Sequence, residues 1–218
     1  MKRFDFIKIN ALAVLGLGSL SFQDLNDQPL KAFLTGKNNS KLTKDNLLHK
    51  TVYYAFKEMH KAAKEKHINI EIISGYRSFE HQLSIWNRKY KYYEAQGLTG
   101  PEILNKITTY SAIPGTSRHH WGTEIDIIDA DNAKPRTNIL QARHFHDLGN
   151  YCELNEWMDK NAHNFGFYQV YTNDNDRSGF SYEPWHYSFE PLSKTYLKSY
   201  SKIDLPSIYK NENILGKA

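Results

Sequence analysis

The stretch TSRHHWGTEIDI, residues 116–127, constrains this chain more than any other. Read as a strand, it places Thr123, Ile125 and Ile127 on one face and Glu124, Asp126 and Ile128 on the other, because successive side chains of a strand point to opposite faces. Ile125 and Ile127 require a core behind the strand. Carboxylates so close to a core are seldom buried unless they are paired or coordinated. A fold that accepts this strand must therefore bring cationic groups, or a cation, to Glu124 and Asp126. Two adjacent histidines and Gly122 stand immediately before it.

The rest of the chain supplies elements around that strand. Val52, Phe56, Met59 and Ala63 recur at helical spacing within residues 46–65. Ile68, Ile70 and Ile72 alternate with polar residues, which predicts a strand that breaks at Gly75. Residues 79–95 read as a helix, and Pro101 opens a shorter one at its first turn. The Pro-Gly pair in AIPGTSRHHW marks a loop, and DADNAKPRTN is rich in turn formers. Residues 152–164 predict a helix that ends near Gly166, followed by short strands in FYQVY and WHYSF on either side of a polar loop. The tail after Glu190 predicts a helix and then an extended end. There is no internal repeat and no regular strand–helix–strand rhythm, so the expected class is α+β, a small antiparallel sheet with flanking helices.

The 218 residues suffice for one packed domain, expected over 46–200, with a polar, Asn/Lys-rich linker over 23–45 and a tail over 201–218. The first 22 residues read as an export signal that is removed. MKRFDFIK carries three basic residues against one Asp, an uncharged run follows to Phe22, and Ser19 and Ser21 offer a small-x-small cleavage site. That run is short for a membrane span, so the processed chain is expected outside the cytoplasm, in the periplasm or cell envelope, without a stable span. The net charge of +4 suits contact with an anionic polymer. The most basic segment, KEMHKAAKEKH, is interrupted by glutamates and reads as a solvated helix face, so no nucleic-acid partner is expected. A single cysteine, Cys152, excludes an intrachain disulfide.

The chemistry of the opening stretch points to a metal. Zinc accepts imidazole nitrogen and carboxylate oxygen, and a catalytic zinc takes three protein ligands. A turn at Gly122 brings His119 and Asp126 towards one point, and SYEPWHYSF offers His186 as the third ligand. Glu183 stands three residues before His186, a spacing that faces opposite ways in a regular strand. Pro184 disrupts the ladder and permits a bend, so that Glu183 can lie beside the metal as a general base. Singly, each histidine is better explained as a surface or hydrogen-bonded core residue than as a ligand, and Asp126 reads equally as a turn cap. The case rests on two separate segments that each offer histidine and carboxylate beside tryptophan.

These residues also carry a resemblance. SRHHWGTEID follows S-x-H-x-x-G-x-A-x-D, EPWH follows E-x-W-H, and SGYRSFEHQ supplies S-G-Y-R-S with a Gln further on. In that order, over residues 50–190, they resemble the zinc D-alanyl-D-alanine carboxypeptidases of the VanY type, within the wider group that includes lysostaphin-type peptidases and the hedgehog domain. The resemblance implies that His119, Asp126 and His186 hold zinc and that Glu183 is the catalytic base. It implies further that Arg77 grips the terminal carboxylate of the substrate, with Gln82 and Ser117 lining the same pocket. The implied activity is removal of the C-terminal D-alanine from peptidoglycan stem peptides, D,D- or L,D-linked. The rivals are an endopeptidase that cuts wall crosslinks and a zinc-containing binding module without turnover. Glu124 departs from the pattern, which has a small residue there. An extra ligand, a partner of Arg118 or Arg77, and a determinant of the substrate pocket are all open to it. His120 is expected to pack or support rather than to ligate.

Overall fold

The computed structural model describes residues 28–45, 47–136 and 138–217, so the expected export signal lies outside it. Helices α1 (Gln28–Leu34) and α2 (Lys50–Lys64) precede strand β1 (Ile70–Ser74). Helices α3 (Phe79–Glu94) and α4 (Gly100–Thr108) lead to β2 (Glu124–Asp129). Helix α5 (Cys152–Asn161), strands β3 (Phe167–Gln169) and β4 (His186–Phe189), and helices α6 (Glu190–Tyr200) and α7 (Leu205–Tyr209) complete the order. The four strands form one antiparallel sheet in the order β1-β2-β4-β3, the α+β arrangement expected.

Local signals account for the element ends. Ser78 starts α3 by accepting from the His81 N–H at 3.1 Å. Thr99 and Glu102 form a reciprocal capping box at α4. The helix expected over 152–164 is regular only to Asn161 and tightens into a 3₁₀ turn, Ala162–Phe165, closed by Gly166 at φ +81°.

Register decides what shares a face. Asp126 pairs with His186 and Glu124 with Ser188, while Tyr168 of β3 also lies opposite Ser188. Directly opposed residues project to the same side, so one face of the sheet carries Tyr168, Ser188, Glu124, His186 and Asp126. Ile125, Ile127, Tyr187, Phe167 and Phe189 project to the other and join Val52, Met59 and Ala63 of α2 in the main core. On β1 the register slips by one residue between Ile72 and Ser74, which puts Ser74 opposite Asp126. A bulge of this kind bends a strand and re-aims the residues beyond it.

Two boundaries differ from expectation. Residues 28–45 are not a linker: Leu30, Phe33, Leu34 and Leu42 are buried in the main core. The Leu34 carbonyl accepts from Trp121 Nε1 at 3.1 Å. Nor are residues 201–217 a free extended end. They contain α7 and pack Ile214 against Phe79, Trp86, Ile103 and Ile107, and the Leu215 carbonyl accepts from Trp86 Nε1 at 2.9 Å. Both segments are short and polar, and each becomes ordered by docking on a larger apolar surface rather than by its own propensity.

Gly122 ends the 3₁₀ turn Arg118–Trp121 in the left-handed region, at φ +63°. A Cβ there would lie 2.5 Å from Leu42 Cδ2 and 2.8 Å from the His49 nitrogen. Gly122→Ala is therefore expected to lose at least about 1–2 kcal/mol from the left-handed conformation alone. For a chain of this size each kcal/mol lowers Tm by about 2–4 °C. An unchanged melting curve would show that the turn relaxes freely.

Candidate metal centre and substrate cleft

The 3₁₀ turn before β2 and the bulge at the end of β1 meet over Asp126. His119 Nδ1 lies 2.7 Å from the Gly75 carbonyl. A carbonyl only accepts, so this nitrogen carries the proton and Nε2 keeps its lone pair, aimed at Asp126 Oδ2 at 3.3 Å. Gly75 must be glycine for this approach, since a Cβ would collide with the Leu47 carbonyl oxygen.

His186, across the ladder, turns Nδ1 towards Asp126 Oδ1 at 2.9 Å and Nε2 towards Glu124 Oε2 at 2.9 Å. One donor atom from each of His119, Asp126 and His186 lies within 4.8 Å of the others, and all three residues are buried. A tetrahedral ion with bonds of about 2.0–2.2 Å sets its ligand atoms about 3.4 Å apart. The His119–Asp126 separation of 3.3 Å matches that edge. Two imidazole nitrogens and one carboxylate oxygen are a donor set that suits zinc, which would displace a ring proton on binding.

Electrostatics agree with a cation site. Burial by itself would raise the Asp126 carboxyl, but His119 and His186 overcome it and hold Asp126 well below the usual carboxylate range. Burial disfavours charge on His186, yet Asp126 and Glu124 on either side outweigh it and raise that imidazole to about 10. His119 is driven downward, chiefly by burial. Two buried carboxylates thus keep their charge around a point that asks for positive charge.

Glu183 lies beside this point. The His186 N–H donates to the Glu183 carbonyl at 3.1 Å, closing a turn through Pro184 and Trp185 before β4 begins. That turn brings a Glu183 carboxylate oxygen to 3.7 Å from His186 Nδ1. Burial, opposed by His186 and reinforced by Asp126, raises the Glu183 carboxyl to about 7. A carboxyl poised there is suited to give and take a proton near neutrality.

Arg77, Ser117, His119, Asp126, Glu183 and His186 all border one cleft of about 580 Å³. Arg77 Nη1 donates to Gln82 Oε1 at 2.9 Å, and Nη2 to Ser74 Oγ at 3.0 Å. Gln82 differs from expectation. It is fully buried behind Arg77, absent from the cleft wall, and anchored by its Nε2 to the Ala112 carbonyl at 2.7 Å. It aims the guanidinium rather than lining the pocket. His120 supports the same arginine from the backbone side. Its Nδ1 lies 2.6 Å from the Arg77 carbonyl, and its Nε2 accepts from the Gly115 N–H at 3.0 Å. Burial lowers its pKa to about 4, which keeps the ring neutral and able to do both.

Sequence reasoning passed over Lys89, which borders the same cleft and donates to Ser111 Oγ at 2.5 Å. Its signal was available: Gln82, Ile85 and Lys89 fall at i, i+3 and i+7 of α3, one face of a helix. Tyr171, whose ring centroid lies 4.8 Å from that of His186, had no such signal because it follows a three-residue strand.

Comparison with known proteins places the chain in a family. The family model VanY, D-alanyl-D-alanine carboxypeptidase, matches residues 45–192. The chain is 36% identical over 129 residues to a D-alanyl-D-alanine carboxypeptidase of Enterococcus faecalis, covering 57% of this chain and 42% of that protein. It is 38% identical over 110 residues to an uncharacterised protein of Haemophilus influenzae, covering 50% of this chain and 83% of that one. The chain thus spans about two fifths of the Enterococcus relative. Among solved structures it resembles VanYB in complex with D-alanine-D-alanine, with TM-score 0.55, 26% identity, and coverage of 79% of this chain and 88% of that one. It also resembles an alanine mutant of the D,D-pentapeptidase VanY from the VanB-type resistance cassette in complex with Zn(II), with TM-score 0.53, 28% identity, and coverage of 73% and 82%.

Proposed function

Because the chain belongs to the VanY family of D-alanyl-D-alanine carboxypeptidases, we propose that it is a zinc-dependent carboxypeptidase that removes the C-terminal D-alanine from peptidoglycan stem peptides. The observation that carries this reading is the convergence on one cleft of a three-donor metal set, a carboxyl raised to about 7 and the half-buried guanidinium of Arg77. His119 Nε2, Asp126 and His186 Nδ1 hold the zinc. When bound, zinc supplies Lewis acidity to the scissile carbonyl and acidifies water. Glu183 takes the proton from the attacking water and delivers it to the departing amine. Arg77 holds the free carboxylate of the last residue, since a planar guanidinium suits bidentate capture of a carboxylate. Ser117 borders the same pocket. A relative solved with D-alanine-D-alanine and another solved with Zn(II) support the substrate class and the metal.

The test is incubation with muropeptides carrying four- and five-residue stems, with and without a zinc chelator, read by mass spectrometry. Loss of one terminal D-alanine from at least one substrate, abolished by the chelator and restored by zinc, is the expected result. Cleavage inside a crosslink instead would assign an endopeptidase. A wall substrate also requires export, so the native protein is expected to lack about its first 21 residues. N-terminal sequencing reads this directly, and an intact Met1 on a cytoplasmic protein would sink the wall-substrate assignment.

A further inference from the structure

Glu124, the residue that departs from the small-residue pattern, has no part in the chemistry above, yet it is fully buried on the same strand face as Asp126. Its two oxygens are divided. Oε1 receives Ser188 Oγ at 2.6 Å, Thr123 Oγ1 at 3.0 Å and Arg118 Nη2 at 3.2 Å. Oε2 faces His186 Nε2 at 2.9 Å. Arg118 is itself fixed: its Nη2 also donates to Ser188 Oγ at 2.8 Å and Tyr168 Oη at 3.1 Å, and its guanidinium lies 4.9 Å over the Trp121 ring. The carboxylate is thereby clamped through one oxygen and leaves the other for the imidazole.

We propose that Glu124 is a positioning residue, whose clamped carboxylate accepts the His186 Nε2 proton and so commits Nδ1 of that ring to the metal. The inference rests on the zinc reading above and names how this chain holds its third ligand. The alternative, that Glu124 ligates directly, fits the geometry less well. The donor atoms that converge come from His119, Asp126 and His186, and Glu124 meets His186 on the ring nitrogen away from Asp126 and Glu183. The two imidazoles are consequently unlike. His119 donates its Nδ1–H to a neutral carbonyl, at Gly75. His186 gives its proton to a carboxylate, which fixes the tautomer and makes the opposite nitrogen a stronger donor. A small residue at 124 supplies no such acceptor and leaves Arg118 without its carboxylate, so Arg118 and Glu124 act as one unit.

The experiment measures zinc affinity by chelator competition in the wild type, Glu124→Gln, Glu124→Ala and the double variant Arg118→Met/Glu124→Ala, with stoichiometry at saturating zinc. Outer partners of metal-bound histidines typically contribute about 10–100-fold in affinity. Both Ala variants are expected to weaken zinc by that factor while still taking up one ion per chain. The double variant strands no buried guanidinium and so separates positioning from misfolding. Glu124→Gln, whose amide oxygen still accepts, is expected to fall between. Nitrogen-15 spectra of the zinc-loaded wild type should show His186 metallated at Nδ1 and protonated at Nε2, a readout that needs no variant to fold. Wild-type affinity in both Ala variants, loss of saturable zinc in either folded Ala variant, or metal on Nε2 would each overturn the proposal. A wild type that binds no zinc would instead overturn the metal reading on which it rests.

Discussion

Glu183→Gln is expected to keep its zinc and lose hydrolysis by about 10²–10⁴-fold, the usual contribution of a positioned general base. The amide matches the carboxylate in size, and the backbone bonds that build the turn, from Glu183 N to the Tyr171 carbonyl at 3.0 Å and from His186 N to the Glu183 carbonyl at 3.1 Å, are untouched. What disappears is a carboxyl that burial has brought to about 7. The loss should therefore fall on kcat, with metal content and melting temperature near wild type. A variant that loses its zinc would make Glu183 a ligand and reassign the centre. A variant that keeps both zinc and turnover would place the base elsewhere in the cleft.

Amidation of the substrate C-terminus is expected to damage the wild type severely and Arg77→Ala hardly further. This is a double-mutant cycle with one change on the enzyme and one on the ligand. Arg77 is half-buried; its partial burial pulls its pKa down, while Asp126 and Glu183 help to sustain its charge. Gln82 and Ser74 engage two of its five N–H groups and fix the fork at the cleft wall. A desolvated guanidinium–carboxylate pair can couple by about 2–5 kcal/mol, part of which is the penalty of stranding one charge. Arg77→Lys should recover only part of the loss, because an ammonium lacks the planar fork. The effects should appear in kcat/KM with zinc content unchanged. Additive losses would show that Arg77 does not meet the carboxylate, and an endopeptidase would then become the better assignment. Lys89 borders the same cleft, so residual binding of a free carboxylate in Arg77→Ala would point to it.

Most of the candidate site was legible because its parts repeat at short range. The period of a strand puts Glu124 and Asp126 on one face opposite Ile125, and Pro184 announces the bend that lets Glu183 and His186 converge. The helix read over 79–95 and the one that Pro101 opens were legible for the same reason, and they run Phe79–Glu94 and Gly100–Thr108. Helix α1 was not. Leu30, Phe33 and Leu34 have helical spacing, but seven residues cannot hold a helix by themselves, and only the surface formed by Trp121 and α6 gives them somewhere to pack.

By itself the sequence determined the chemical inventory and its local orientation: which donors exist, which share a strand face, and where the chain must turn. Tertiary structure alone decided the partners across long separations. It set Gln82 behind Arg77, gave Gly75 as the acceptor for His119, and tied Glu124 to Ser188 and His186 through the register of β2 against β4. The physical reason is that side-chain direction follows from backbone period over two to four residues. Strand register instead follows from the packing of the whole sheet, and a slip of one residue would turn Glu124 and Asp126 away from Ser188 and His186.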